Sequence, residues 1–229
     1  MAINNKTQSK KKAVAPDTIP PVETVLVLRT CTAQMTSHNG FKWPESGPVS
    51  APDWRPDSEC GHGLHGFLWG EGNGSLANWD IDAKWLVCSV PKDSLIDIGE
   101  KVKFPACEVV FCGDRNGATE YIKTHGPSGK SIIGGTATAG YRGTATAGYR
   151  GTATAGDSGT ATAGDSGTAT AGYRGTATAG TGGVVVLLYW NGKRYKAKIA
   201  NVQDEDGDGQ LKPNVKYRLN NTGQFEEVL

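Results

Sequence analysis

Three short stretches of this chain carry side chains suited to chemistry. The densest is Cys60-Gly-His62-Gly-Leu-His65-Gly, a thiol and two imidazoles within seven residues. With a fourth ligand from Cys31, Cys88, Cys107 or Cys112, these would make a tetrahedral zinc site. Cys60 beside His65 is alternatively a nucleophile with its base. The glycines between them favour a third reading, a tight turn with hydrogen-bonded histidines, so no metal ligand or catalytic residue is assigned. The second stretch, Asp204-Glu-Asp206-Gly-Asp208-Gly, matches the first half of a calcium loop. Val215 stands where that loop needs a bidentate glutamate, and a solvated acidic turn is favoured. The third, Gly126-Pro-Ser-Gly-Lys130-Ser131, imitates a phosphate loop, but Thr124 replaces its first glycine. It also follows a predicted helix where the motif requires a strand.

The remaining chemistry is repetitive. Gly-Thr-Ala-Thr-Ala-Gly begins at Gly135, Gly143, Gly151, Gly159, Gly167 and Gly175. A fixed short period indicates a stacked solenoid. Strand alternation puts the threonines of each word on one face and its alanines on the other. The threonine pairs are Thr136/Thr138, Thr144/Thr146, Thr152/Thr154, Thr160/Thr162, Thr168/Thr170 and Thr176/Thr178. Volume favours alanine inside, yet threonine pairs also fill thin cores by hydrogen bonding, so the outward face stays open at this stage. The flanking glycines are expected to supply positive φ at tight corners.

The dipeptides between words set the coil length. In order they are Tyr141-Arg142, Tyr149-Arg150, Asp157-Ser158, Asp165-Ser166, Tyr173-Arg174 and Thr181-Gly182. An eight-residue stack would place Arg142 beside Arg150 and Asp157 beside Asp165. A sixteen-residue coil alternates basic with acidic corners, and like-charge repulsion decides for it. Three coils follow, a stack ~14 Å tall.

Thr-Ala-Gly-Tyr followed by another Thr-x-Thr word resembles the repeats of bacterial ice-nucleation proteins, over residues 135–182. The resemblance implies a β-solenoid with exposed threonine rows that order water, and stacked tyrosines. Here aspartate interrupts each tyrosine column, so no continuous ladder is expected. Three coils are a small template; the resemblance then implies weak ice binding, with strong nucleation only on assembly. Tyr141, Arg142, Tyr149, Arg150, Asp157, Asp165, Tyr173 and Arg174 are the candidate assembly residues at the corners. Residues 22–229 also resemble uncharacterised bacterial and phage proteins that combine an N-terminal domain, such octads and a short β C-terminus.

The elements that must hold this repeat are readable on both sides. Val22–Arg29, Lys84–Val90 and Glu108–Phe111 read as strands, and Asp114 caps a helix through Ala118–Lys123. Trp43, Trp54, Trp69, Trp79 and Trp85 suit the core of a small domain better than a ligand groove. Val184–Trp190, a turn at Asn191-Gly192, and Arg194–Val202 form a hairpin; Lys216–Leu219 and Phe225–Val228 form another. The expected fold is mainly β: a short solenoid of about three sixteen-residue coils between an α+β N-terminal domain and a small β-hairpin cap. The expected divisions are a disordered basic tail at 1–20, the N-terminal domain at 21–134, the solenoid at 135–182 and the cap at 183–229. Solenoid ends expose apolar faces and open edges, so the cap and the N-terminal domain are expected to cover one end each.

The net charge of +1 gives no global field toward nucleic acid or membrane. Only the first 20 residues are one-sided, with Lys6, Lys10, Lys11 and Lys12 against Asp17. Five cysteines in no regular framework and no apolar leader read as reduced thiols, in the cytoplasm or an assembled particle. The leading functional expectation is a non-enzymatic structural or interaction protein, with the solenoid as rigid spacer or repetitive binding face, and self-association or a larger assembly such as a virion as context. Ice or ordered-water binding by the threonine rows is the alternative, and an enzymatic or metal- or ligand-binding N-terminal domain a third. No cofactor, sequence-specific nucleic acid or membrane partner is expected.

Overall fold

The computed structural model describes residues 22–228. The basic tail expected at 1–20 lies outside the described residues. Seven strands build the N-terminal sheet: β1 (Thr24–Cys31), β2 (Gly47–Ser50), β3 (Leu64–Leu68), β4 (Lys84–Pro91), β5 (Ile96–Asp97), β6 (Val102–Phe104) and β7 (Ala106–Gly113). Their order is β2-β7-β4-β1-β3-β6-β5, with every pair antiparallel. β1 runs two residues later than the sequence suggests. Its partner sets its length, because pairing with β4 is continuous from Thr24↔Pro91 to Cys31↔Lys84.

Both faces of this sheet are covered, which is why its central strands read as nearly unbroken apolar runs. Val25, Val27, Leu86, Cys88 and Val90 pack with Trp43 and Phe104 on one side. Leu28, Trp85 and Val87 pack on the other with Ala118 and Ile122 of α1 (Arg115–His125) and with Ile132 and Ile133. Asp114 caps α1, accepting a hydrogen bond from the Gly117 N–H at 2.8 Å. Trp79 and Trp85 meet edge-on at 5.3 Å and line one cleft together, whereas Trp43 and Trp69 pack into the core on the other face and Trp54 lies against Lys103. Trp43 and Trp85 are buried, while Trp54, Trp69 and Trp79 are half-buried at separate places.

The repeat forms β8 (Thr136–Ala139), β9 (Thr144–Ala147), β10 (Thr152–Ala155), β11 (Thr160–Ala163), β12 (Thr168–Ala171) and β13 (Thr176–Ala179). Thr152 pairs with Thr136 and Thr168, and Thr160 with Thr144 and Thr176, all in parallel. The coil is therefore sixteen residues, with odd and even words in two separate sheets. Ala153, Ala161, Ala169 and Ala177 are fully buried between them, and the threonines lie on the outer side.

The threonine rows are less exposed than the sequence suggests. Among the repeat threonines, Thr136, Thr138, Thr144 and Thr152 are exposed. Thr154, Thr162 and Thr178, each expected in an exposed row, are half-buried instead, as are Thr146, Thr160, Thr168, Thr170 and Thr176. Position in the stack contributes, although Thr152 stays exposed between two rows and Thr146 is half-buried in an end row. Thr154 stands between Thr138 and Thr170, and Thr162 between Thr146 and Thr178, at a strand spacing of ~4.8 Å. Thr178 lies in the row that meets the cap, beside the Ala177↔Tyr217 pairing.

The glycines act differently from expectation. Positive φ falls on the second corner residue: 57° at Arg142, 52° at Arg150, 57° at Ser158, 54° at Ser166 and 58° at Arg174. The flanking glycines serve close approach instead. A Cβ on Gly151 would lie 2.8 Å from the Ala147 Cβ and 2.9 Å from the Gly135 carbonyl oxygen of the coil beneath.

The two ends of the solenoid close unequally. β14 (Val184–Trp190) continues one sheet by pairing in parallel with β12, and β15 (Tyr195–Asn201) returns against β14. β16 (Tyr217–Leu219) meets β13 at Ala177↔Tyr217, and β17 (Phe225–Glu227) pairs with β16. At the other end, no strand among the described residues pairs with the outer edges of β8 and β9. The N-terminal module meets the corner of the first coil: Gly134 N–H donates to the Tyr149 carbonyl, and Gly148 N–H to the Ile132 carbonyl. A helix and a loop face those strands, so this end is covered without extending the sheets. A cavity of about 430 Å³ separates α1 and residues 127–130 from the edges of β8 and β9.

Candidate functional site

The site with the largest regular surface is the pair of threonine faces. One carries Thr136 and Thr138, Thr152 and Thr154, and Thr168 and Thr170. The other carries Thr144 and Thr146, Thr160 and Thr162, and Thr176 and Thr178. Strand geometry spaces hydroxyls ~7 Å along each strand and ~4.8 Å between rows. Thr160 and Thr176 share a hydroxyl hydrogen bond of 3.2 Å. The other ten repeat threonines, half-buried Thr154, Thr162 and Thr178 included, have no side-chain partner among the described residues. Their hydroxyls stay free for water, but half-burial confines the approach at these three to the open side of the row. The first face ends in an apolar row, because Val184 and Val186 stand in register with Thr168 and Thr170.

The corner residues separate into different roles. Tyr141 is 68% exposed, with the Arg142 guanidinium 5.2 Å from its ring centre. Tyr149 instead docks on the N-terminal module, 5.6 Å from the Trp79 ring, and Arg150 lies 4.9 Å from the same ring. Tyr173 packs edge-on against Tyr195 of the cap at 5.6 Å, with Arg174 over it. Asp157 and Asp165 form no ion pair with these arginines among the described residues. Each accepts a backbone hydrogen bond from the next coil, from Tyr173 N–H and Thr181 N–H, both at 2.8 Å. The sixteen-residue period keeps like charges apart as expected, while the carboxylates hold the corners as acceptors.

The other candidates do not come together as sites. Among the described residues no three His, Cys, Asp or Glu side chains gather at metal-binding distance. Cys60 is exposed and His62 sits 3.4 Å from Asp53. His65 is half-buried and accepts from the Gly61 N–H at 3.4 Å. Burial, followed by the charges of Lys101, Arg29 and Lys103, pushes its imidazole down to about 4. Burial pushes the Cys31 thiol up to about 11, which disfavours a thiolate there. The Asp204 carboxylate closes its own loop, accepting from Asp206 N–H at 3.0 Å and Asp208 N–H at 2.9 Å. Glu71 holds the phosphate-loop mimic, bonding the Lys130 ammonium and the Ser131 N–H at 2.8 Å each. Sequence reasoning missed Lys103, a fully buried lysine paired with Asp57 at 2.5 Å. It sits between two buried apolar residues in β6, and such a charge without a local partner was the available signal.

Comparison with known proteins bears on both halves of the chain. Residues 25–124 match the model of a domain of unknown function, DUF7666. The ice nucleation protein of Xanthomonas campestris pv. translucens is 41% identical over 108 residues, which is 46% of this chain and 7% of that protein. That of Pseudomonas fluorescens is 46% identical over 102 residues, 44% of this chain and 8% of the relative. Ice nucleation protein InaU of Pantoea ananas is 39% identical over 103 residues, 44% of this chain and 10% of the relative.

The chain carries an ice-nucleation-like repeat. It spans a tenth or less of the length of these ice nucleation proteins. No solved structure matches it significantly. The ice-nucleation-like repeat thus sits here in a short solenoid joined to a separate antiparallel sheet.

Proposed function

We propose that this is a non-enzymatic protein that binds ice, or water ordered like ice, through the threonine faces of its solenoid. The observation that carries the reading is the unbroken sixteen-residue register of Thr-x-Thr strands, alanine inward and threonine outward. Relatives named ice nucleation protein support it. A rigid grid of hydroxyls offers water fixed positions at no ordering cost at the moment of binding. Thr154 and Thr162 each have a threonine row on both sides, which limits the space open to their side chains. Three rows per face make a patch only ~7 Å by ~10 Å. A patch of that size suits adhesion to crystals that already exist, and nucleation would need many copies side by side.

Ice-recrystallisation inhibition tests the reading. Thr152→Lys and Thr160→Lys each disturb the middle row of one face. The active face should be the one whose variant loses inhibition while its unfolding transition is retained. Unchanged inhibition in both variants, or none in the parent, would refute it.

A spacer or assembly role is the second reading, and Tyr141 favours it. Tyr149 and Tyr173 have aromatic partners on either side of the repeat, whereas Tyr141 faces solvent beside Arg142. Concentration-dependent light scattering that is lost in Tyr141→Ser would support that role.

A further inference from the structure

The N-terminal sheet opens where β1 and β3 stop pairing. Their contact covers Val27↔Leu68 and Leu28↔Phe67, after which β3 runs on beside β6. Arg29 bridges the opening, donating from Nη1 to the His65 carbonyl at 3.0 Å. Beside it lies a cleft of about 300 Å³, lined in part by Arg29, Thr30, Thr32, Thr36, Ser37 and Lys101. No aspartate or glutamate lines it. Among the described residues neither Arg29 nor Lys101 forms an ion pair, and the buried Arg29 Nε has no hydrogen-bond partner.

Hydroxyl accounting makes the cleft a donor site. Thr30 Oγ1 accepts from the Asn78 N–H at 2.8 Å, and Ser37 Oγ from the Trp43 indole at 3.1 Å. Each therefore keeps its own proton to donate. Thr32 and Thr36 share one hydrogen bond of 2.6 Å, and Thr32 Oγ1 also accepts from the Thr36 N–H. Whichever hydroxyl donates within that pair, one proton is left over. The residues lining the cleft thus carry a guanidinium, held over Trp43, an ammonium and three hydroxyl protons without acceptors among the described residues, and no carboxylate lines it.

We propose that this cleft binds the phosphate group of a small molecule. A phosphate has three strong acceptor oxygens for this set of donors, and arginine is well suited to planar, two-point contact with it. Two cationic side chains match a dianion better than the single charge of a carboxylate. The volume is at the small end of ligand pockets. Burial chiefly lowers the titration of His65; the charges of Lys101 and Arg29 lower it further, against Asp53, so the imidazole reports on both cations.

Isothermal titration calorimetry of the full chain with inorganic phosphate, and separately with acetate at matched ionic strength, tests the proposal. Phosphate should bind saturably, and Lys101→Gln should weaken it by at least about tenfold, the scale of one lost charge-assisted hydrogen bond. Lys101 is half-buried in a loop, so its variant keeps the core intact; Arg29→Gln, checked for folding by circular dichroism, should do the same. His65, followed by NMR, should titrate higher in saturating phosphate. Absence of saturable binding, an unchanged affinity in Lys101→Gln, or an unmoved His65 overturns the site. Acetate binding as tightly as phosphate overturns the assignment of ligand class.

Discussion

At the corners of the solenoid, Asp157 and Asp165 act through an oxygen atom more than through a charge. Each carboxylate accepts a backbone N–H from the coil above it, so asparagine should serve nearly as well. Asp157→Asn is expected to unfold at the parent's midpoint, while Asp157→Ala loses about 0.5–1 kcal/mol in urea titrations. An ion-pair role would make both variants equally unstable and salt-sensitive. His65 behaves oppositely, as a group whose neutral form the fold prefers. Its imidazole titrates at about 4 when folded, against an ordinary 6.5, so the unfolded chain takes up the proton first. Its contribution is full above pH 6.5 and is lost progressively as pH falls toward 4. The urea midpoint should drop over that window, and the drop should be smaller in His65→Gln.

Between single residues and the whole fold, the coil is the working unit. Alanine fills the space between two sheets with nothing left over, since Ala161 and Ala169 are fully buried. Ala161→Leu should therefore overpack the stack and cost about 1–3 kcal/mol, read from the thermal transition. Deletions test the period directly. Removing 151–166 takes out one coil and returns each remaining strand to its own sheet, so cooperative unfolding should survive. Removing 151–158 takes out half a coil and delivers β14 to the wrong sheet. Val185 and Leu187 would then leave their alanine columns, and the cap should detach, with a lower and broader transition.

At the scale of the molecule, the size of the threonine patch limits what it can do. Inserting two further sixteen-residue coils after Arg150 should raise recrystallisation inhibition at equal molar concentration, because the number of aligned rows grows while the ends stay the same. Inhibition that does not change with coil number would detach the activity from the repeat. Much of this architecture was legible beforehand. The eight-residue word, its alternation and the corner charges determined the sixteen-residue coil. The same local patterns set β4, β14, the cap hairpins and the Asp114-capped helix, because spacing and turn chemistry are encoded between near neighbours. Other features were decided only by tertiary structure. Alternation groups alanines and threonines, but which group goes inside depends on the gap between two sheets and on register with Val185 and Leu187 of the cap. Identical words also hide unequal exposure. Thr138 is open while Thr154, Thr162 and Thr178 are half-buried, and each has a different set of neighbours sixteen residues away. Corner glycines such as Gly156 and Gly164 are required by a coil one full turn away, which no local reading contains. The Arg29–Lys101 cleft joins strands and loops distant in the chain, and its character comes from donors left unused after every other contact is made.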